Sequence, residues 1–279
     1  MGMTDRPILF SAPMVRALLD GRKTMTRRVL RLPTKTLSGG PIYERKDMGG
    51  WEPTTNGGGG SFTVARDGSR VLSRETVGIW HRTTGVCLDV PYQVGDRLYV
   101  REAWRSEVAY DDLSPAAMGG EEPLRYEADG SHQTWGYPAM SKVGRLRQGI
   151  HMPRWASRLT LTVTDVRVQR LQDISEADAI AEGIVWQEPT AEDRAWALAR
   201  ASDGEGDGSI EGVWLAPGTR QGYGARPNAP KWGGTPEFAF RLLWDSLNAD
   251  RGFGWETNPW VVALTFTVEK RNIAEPSHV

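Results

Sequence analysis

The sequence predicts a mainly β fold with small helices (α+β), built as one compact, mainly antiparallel β-barrel with two long insertions. Three observations predict it. Short segments alternate apolar and polar residues with period two, most clearly Leu159, Leu161 and Val163, and Trp260, Val262, Leu264, Phe266 and Val268. Helical spacing appears only in a few short stretches at the connections. The 32 glycines and 17 prolines gather between the periodic segments, so 279 residues fit one core with insertions as well as they fit two domains. We take the chain as a single domain, 1–279, with insertions at 33–91 and 186–234.

The elements follow in order. Pro7 to Phe10 reads as a short strand, then a helix opens near Ser11 with Pro13 in its first turn. Met14, Leu18 and Leu19 give that helix its apolar face, and Gly21 ends it. KTMTRRVLRL is the next strand, with Thr24, Thr26, Arg28 and Leu30 on one face and Met25, Arg27 and Val29 on the other. The first insertion contains SFTVARDGSRVLS, two short strands about an Asp67-Gly68 turn, and TVGIWHRTTGVC as further strand. VGDRLYVREAW is a core strand after the Gly95-Asp96 turn. RWASRLTLTVTDVRVQRL is the clearest strand of all, but its apolar parity switches near Thr164-Asp165, which demands a bulge or a turn between two strands. ISEADAIAEGI is a short helix with Ser175 as N-cap, Asp178 in a capping-box position and Gly183 beyond its end. The second insertion holds a helix from Thr190 to Arg200 and a long Gly/Pro-rich loop to Gly234. A last helix starts at Thr235-Pro236 and runs to Asn248, with Phe238, Leu242, Leu243 and Leu247 as its buried face, and PWVVALTFTVEK closes the core.

Composition excludes several function classes. With 34 Lys+Arg against 35 Asp+Glu, the net charge of −1 demands neither a polyanion nor a membrane surface. Cys87 is the only cysteine, which removes intramolecular disulfides and every multi-cysteine zinc pattern and suits a reducing, cytoplasmic setting. No basic segment followed by an apolar run opens the chain, and no stretch approaches the roughly 18 apolar residues of a membrane span. His81, His132, His151 and His278 show no ligand spacing, so no metal is expected. Phosphate-loop, dinucleotide and GxSxG patterns are missing, so no cofactor is expected either.

Two local basic clusters stand out. One comprises Arg16, Arg22, Lys23, Arg27, Arg28, Arg31 and Lys35; the other Lys142, Arg145, Arg147, Arg154 and Arg158. Two readings stand for them: solvated strand faces, or the walls of one cationic cleft for phosphate or single-stranded nucleic acid. Trp104, Trp135, Trp155 and Tyr137 lie near these clusters and serve either as core or as stacking surfaces.

The run Leu18-Leu19-Asp20-Gly21-Arg22-Lys23-Thr24-Met25-Thr26-Arg27-Arg28, followed by Gly95-Asp96-Arg97-Leu98-Tyr99-Val100-Arg101-Glu102, resembles the ASCH family of PUA-like β-barrels. The strand at Arg158 to Val168, the helix Ile174 to Glu182 and the strand at Trp260 to Phe266 fall in that family's order. With RWASR, LWDSLN and NPWVVAL, the chain looks like a phage and prophage branch of it, which places the protein in a bacterial host's cytoplasm. About half the chain, chiefly the core, takes part in the resemblance. It implies an amidohydrolase that removes the acetyl group from the exocyclic amine of acetylated cytidine, with Lys23, Thr26 and Glu182 as catalytic residues and Arg28 at the pocket. The substrate contacts implied around them are Arg22, Arg28, Arg101, Trp104 and Arg154, and the partner is RNA or a modified nucleoside. A binding module for RNA or a modified base, without turnover, is the second function class, and a ribonuclease the third.

Amide hydrolysis needs a nucleophile, a proton shuttle and a donor for the oxyanion, and Lys23, Thr26 and Glu182 supply all three. Lys23 and Thr26 differ in strand parity, so they converge only if Lys23 lies in the loop before the strand. Glu182 as the base, with Lys23 and Arg28 on the oxyanion, is the preferred assignment; Lys23 activating a Thr26 nucleophile is the alternative. Asp96 and Glu102 are read as structural, Asp96 in its turn and Glu102 paired with an arginine at the barrel rim.

Overall fold

The computed structural model describes residues 5–36, 38–42, 50–58, 60, 62–64, 67–72, 75–135, 140–204, 212–218 and 234–275. Tyr137, His278 and most of the Gly/Pro-rich loop before Gly234 lie outside them. In chain order the elements are β1 (Asp5–Leu9), α1 (Ala12–Leu19), β2 (Met25–Val29), β3 (Trp51–Asn56), β4 (Phe62–Val64), β5 (Arg70–Leu72), β6 (Thr76–His81), β7 (Cys87–Asp89), β8 (Arg97–Arg101), β9 (Trp104–Ser106), β10 (Leu124–Tyr126), β11 (His132–Gln133), β12 (Thr160–Arg170), α2 (Glu176–Ala181), β13 (Val185–Gln187), α3 (Ala191–Ser202), β14 (Val213–Leu215), α4 (Pro236–Asn248) and β15 (Trp260–Glu269).

The central sheet runs β1-β8-β12-β15-β2. Its pairs are antiparallel except β1 with β8, which is parallel. The expected closed barrel is therefore corrected to an open mixed sheet. β15 explains why: Trp260 to Leu264 are buried on both faces. Val262, Leu264 and Phe266 enter the first core cluster with Phe10, Leu18, Leu98, Leu161 and Val163. Val261 enters a second, against Ile174, Ala179, Phe240 and Trp244 of the α2 and α4 regions. A sheet whose outer face is covered by helices needs no closed ladder to hide it. The two edges still meet, through a side chain: Arg28 Nη2 on β2 donates to the Leu9 carbonyl on β1 at 2.8 Å.

The parity switch in β12 is a bulge within one strand, where the register against β15 shifts between Val163 and Asp165. The Asp67-Gly68 hairpin forms as expected between β4 and β5. The segment 33–91 is no mere appendage, since Trp51, Ile79, Val86 and Val90 pack into the first cluster. β9, β10 and β11 make a separate small sheet around Trp104, Met118, Leu124, Tyr126 and Met152, a third cluster that sequence periodicity did not single out. On α4 the buried residues are Pro236, Ala239, Phe240, Trp244 and Asn248, whereas the expected Leu247 is exposed. Trp244 can be buried there because its indole N–H donates to the Phe253 carbonyl at 2.7 Å. Among the described residues, no helix is long and apolar enough to cross a membrane.

Candidate active site

α1 stops at Asp20, and Gly21 follows at φ +73°, the left-handed conformation that glycine adopts without strain. The chain folds back so tightly that Arg22 N and Lys23 N both donate to the Ala17 carbonyl, at 2.9 and 3.0 Å. Lys23 thus stands in the loop before β2. α2 ends in the same way, with Glu182 as C-cap and Gly183 at φ +100°. Thr24 N donates to the Ala181 carbonyl at 2.9 Å, which stitches the start of β2 to the end of α2.

This seam sets Lys23 against Glu182. Lys23 Nζ donates to Glu182 Oε2 at 2.7 Å and to the Glu182 carbonyl at 2.9 Å. Arg27 Nη1 donates to Glu182 Oε1 at 3.2 Å, and Arg27 Nη2 to Asp178 Oδ2 at 2.5 Å. Thr26 and Arg28 lie on the opposite face of β2 from Arg27, toward the first cluster, where their cross-strand partners Leu264 and Val262 also point. The Phe10 ring takes both cations of that side, with Arg28 Cζ 5.0 Å and Lys23 Nζ 5.7 Å from its centre. Of Lys23, Thr26, Arg27, Arg28 and Glu182, only Arg28 is partly exposed.

Burial is the largest influence on Lys23 and lowers its proton affinity below the usual lysine range; the Glu182 carboxylate opposes this without reversing it. The contest left open by the sequence is therefore decided for desolvation. Burial likewise lowers Arg28, against the attraction of Glu182.

The other expected site residues lie apart from this group. Arg22 is exposed and pairs with Asp20 at 2.8 Å. Arg101 stacks on Tyr99, donates to the Ile150 carbonyl at 3.1 Å, and is paired in register with Leu9, whose carbonyl accepts from Arg28. Arg154 is held by Asp5. Trp104 is corrected from a substrate contact to a core residue: it is fully buried in the third cluster, beneath the Arg147 guanidinium at 5.3 Å. Two more arginines of the second basic cluster are engaged internally, Arg147 on the Leu113 and Tyr110 carbonyls and Arg158 on Glu102 and Asp129. Glu102 does pair with an arginine, accepting both Arg158 Nε and Nη2 at 2.8 and 2.9 Å, and Asp96 closes its turn by accepting from Gln93 N at 3.0 Å.

Sequence reasoning missed Arg27 and Asp178 as members of the group. Asp178 was expected to complete a capping box, but only half forms: Ser175 Oγ accepts from Asp178 N at 3.2 Å, while the Asp178 carboxylate turns to Arg27 and Arg167. The available signal was the spacing of four between Asp178 and Glu182, which puts two carboxylates on one helix face. Among the described residues, no group of three or more His, Cys, Asp or Glu side chains is placed to hold a metal ion. No protein-family model matches the chain, and neither a curated protein nor a solved structure matches it.

Proposed function

We propose that the chain is an amidohydrolase that removes an acyl group from the exocyclic amine of a cytosine-like nucleoside, using Lys23, Thr26 and Glu182 without a metal. The observation that carries this reading is the buried contact of Lys23 Nζ with Glu182 Oε2 at 2.7 Å, at the end of the strand that carries Thr26. The resemblance of GRKTMTRR to the ASCH segment supports it. An oxygen nucleophile, the Thr26 hydroxyl or water, attacks the acyl carbonyl and gives its proton to the Lys23–Glu182 pair. The pair returns that proton to the exocyclic nitrogen as the C–N bond breaks, and Arg28 receives the negative charge on the carbonyl oxygen. If Thr26 attacks, water then hydrolyses the acyl ester.

Incubation with cytidine acetylated on its exocyclic amine, followed by chromatography, tests the reading. Wild type should release cytidine, while Lys23→Gln and Glu182→Gln, checked for folding by circular dichroism, should lose about 10²-fold or more of the rate. No release at high enzyme concentration overturns it. A second reading, recognition of RNA or a modified base without turnover, is supported by the sealing of Lys23 and Glu182 from solvent beside a partly exposed Arg28. It requires binding whose affinity falls steeply with salt and no product.

A further inference from the structure

The charges do not end at the pair. Glu182 offers Oε2 to Lys23 and Oε1 to Arg27; Arg27 goes on to Asp178; Arg167 Nη2 donates to both Asp178 oxygens at 3.2 Å; and Arg167 Nε meets Asp165 at 3.0 Å. Six alternating charges therefore run from β2 through α2 to β12, and they run outward: side-chain exposure rises from 0% at Arg27 through 16% at Asp178 to 43% at Arg167. Arg27 is fixed from further sides by Met25 Sδ at 3.2 Å and by the Phe240 ring, 5.8 Å from its Cζ.

Joining β2 to α2 does not require Arg27, because Thr24 N on Ala181 O and Lys23 Nζ on Glu182 O already tie the two together. What Arg27 adds is a grip on one side-chain oxygen of Glu182. A carboxylate held only at Oε2 can rotate about its last bond; held at both oxygens, it has one orientation. Lysine cannot replace the arginine here, since a single ammonium does not bridge two carboxylates as the planar fork does.

We propose that Arg27 is a positioning residue: its guanidinium, braced from the surface by Asp178 and Arg167, holds the Glu182 carboxylate in the rotation that presents Oε2 to Lys23. The role rests on the amidohydrolase reading above for its chemical purpose, but the geometry it sets can be read without turnover.

The test uses the full chain with Arg27→Lys, Arg27→Met and Arg167→Met. One measurement is hydrogen exchange at Lys23 Nζ, followed by NMR on protein labelled with ¹⁵N-lysine; the other is steady-state hydrolysis of acetylated cytidine. Arg27→Lys should speed Nζ exchange by about tenfold and lower kcat by about tenfold, with KM within about twofold of wild type and unchanged circular dichroism. Arg167→Met, at the exposed end, should move both readings in the same direction by about threefold, which keeps the test decisive if Arg27→Met does not fold. Nζ exchange and kcat at wild-type values in Arg27→Lys would make Arg27 a structural brace and overturn the proposal. If wild type releases no cytidine, the amidohydrolase reading falls by itself, and Nζ exchange still decides the role of Arg27.

Discussion

Single residues of this protein are governed by their distance from water. Lys23 is the clearest case, an amine whose affinity for protons is lowered by burial and only partly restored by Glu182. Asp129 is the counter-example at the surface. Partial burial pushes its carboxyl up, but hydrogen bonds from Arg158 and Ser131 outweigh it, and its pKa falls from 3.8 to about 2. The folded state thus binds fewer protons than the unfolded state between those values. The stability Asp129 contributes is present above about pH 4 and lost as pH falls toward 2. Urea unfolding should find Asp129→Asn less stable than wild type at pH 6 and the difference shrinking by pH 2.5; an equal difference at both would refute the linkage. The meeting of Lys23 with Glu182 was legible in the sequence only through the resemblance that set them together. Arg27 was not, because strand alternation placed it on the far face from Thr26, and nothing local says that an acid 155 residues later will meet it.

At the level of elements, the short helix α2 has the greatest leverage. It spans Glu176–Ala181, too short to hold itself, and depends on Ser175 at its start and Gly183 at its end. Ser175→Ala should cost about 1 kcal/mol of unfolding free energy. Gly183→Ala should cost about 1–3 kcal/mol, because the residue is at φ +100° and a Cβ there would lie 3.1 Å from Pro217 Cγ and 3.5 Å from Lys23 Cβ. Denaturant titration checks both, and a neutral Gly183→Ala would mean that this corner is looser than it looks. Caps and turns of this kind were readable from residue type alone. The buried face of α4 was not, since a stripe of leucines competes with one centred on Phe240 and Trp244. Only the second cluster under β15, with a carbonyl waiting for the Trp244 indole, selects between them.

The central sheet is assembled from strands that come from distant parts of the chain, and the first insertion belongs to its core. Ile79, deep in that insertion, is fully buried with Leu98 and Leu161. Ile79→Ala should therefore cost about 2–5 kcal/mol, as a core truncation does, and a value below about 1 kcal/mol would show that the segment is separable. Glycine and proline content marked 33–91 as an interruption, but composition is blind to whether an interruption turns its apolar side chains inward. In the same way, period-two alternation revealed the strands but not that helices would cover one face and leave the ladder open. The order of the sheet also fixes a sequence of events. β15 lies between β12 and β2, so among the described residues the strand that carries Thr26 has no ladder partner until residues 260–269 exist. As the ribosome makes the chain, Glu182 is in place well before β15, yet β2 waits for that strand, and the buried charges near it stay in water until it arrives.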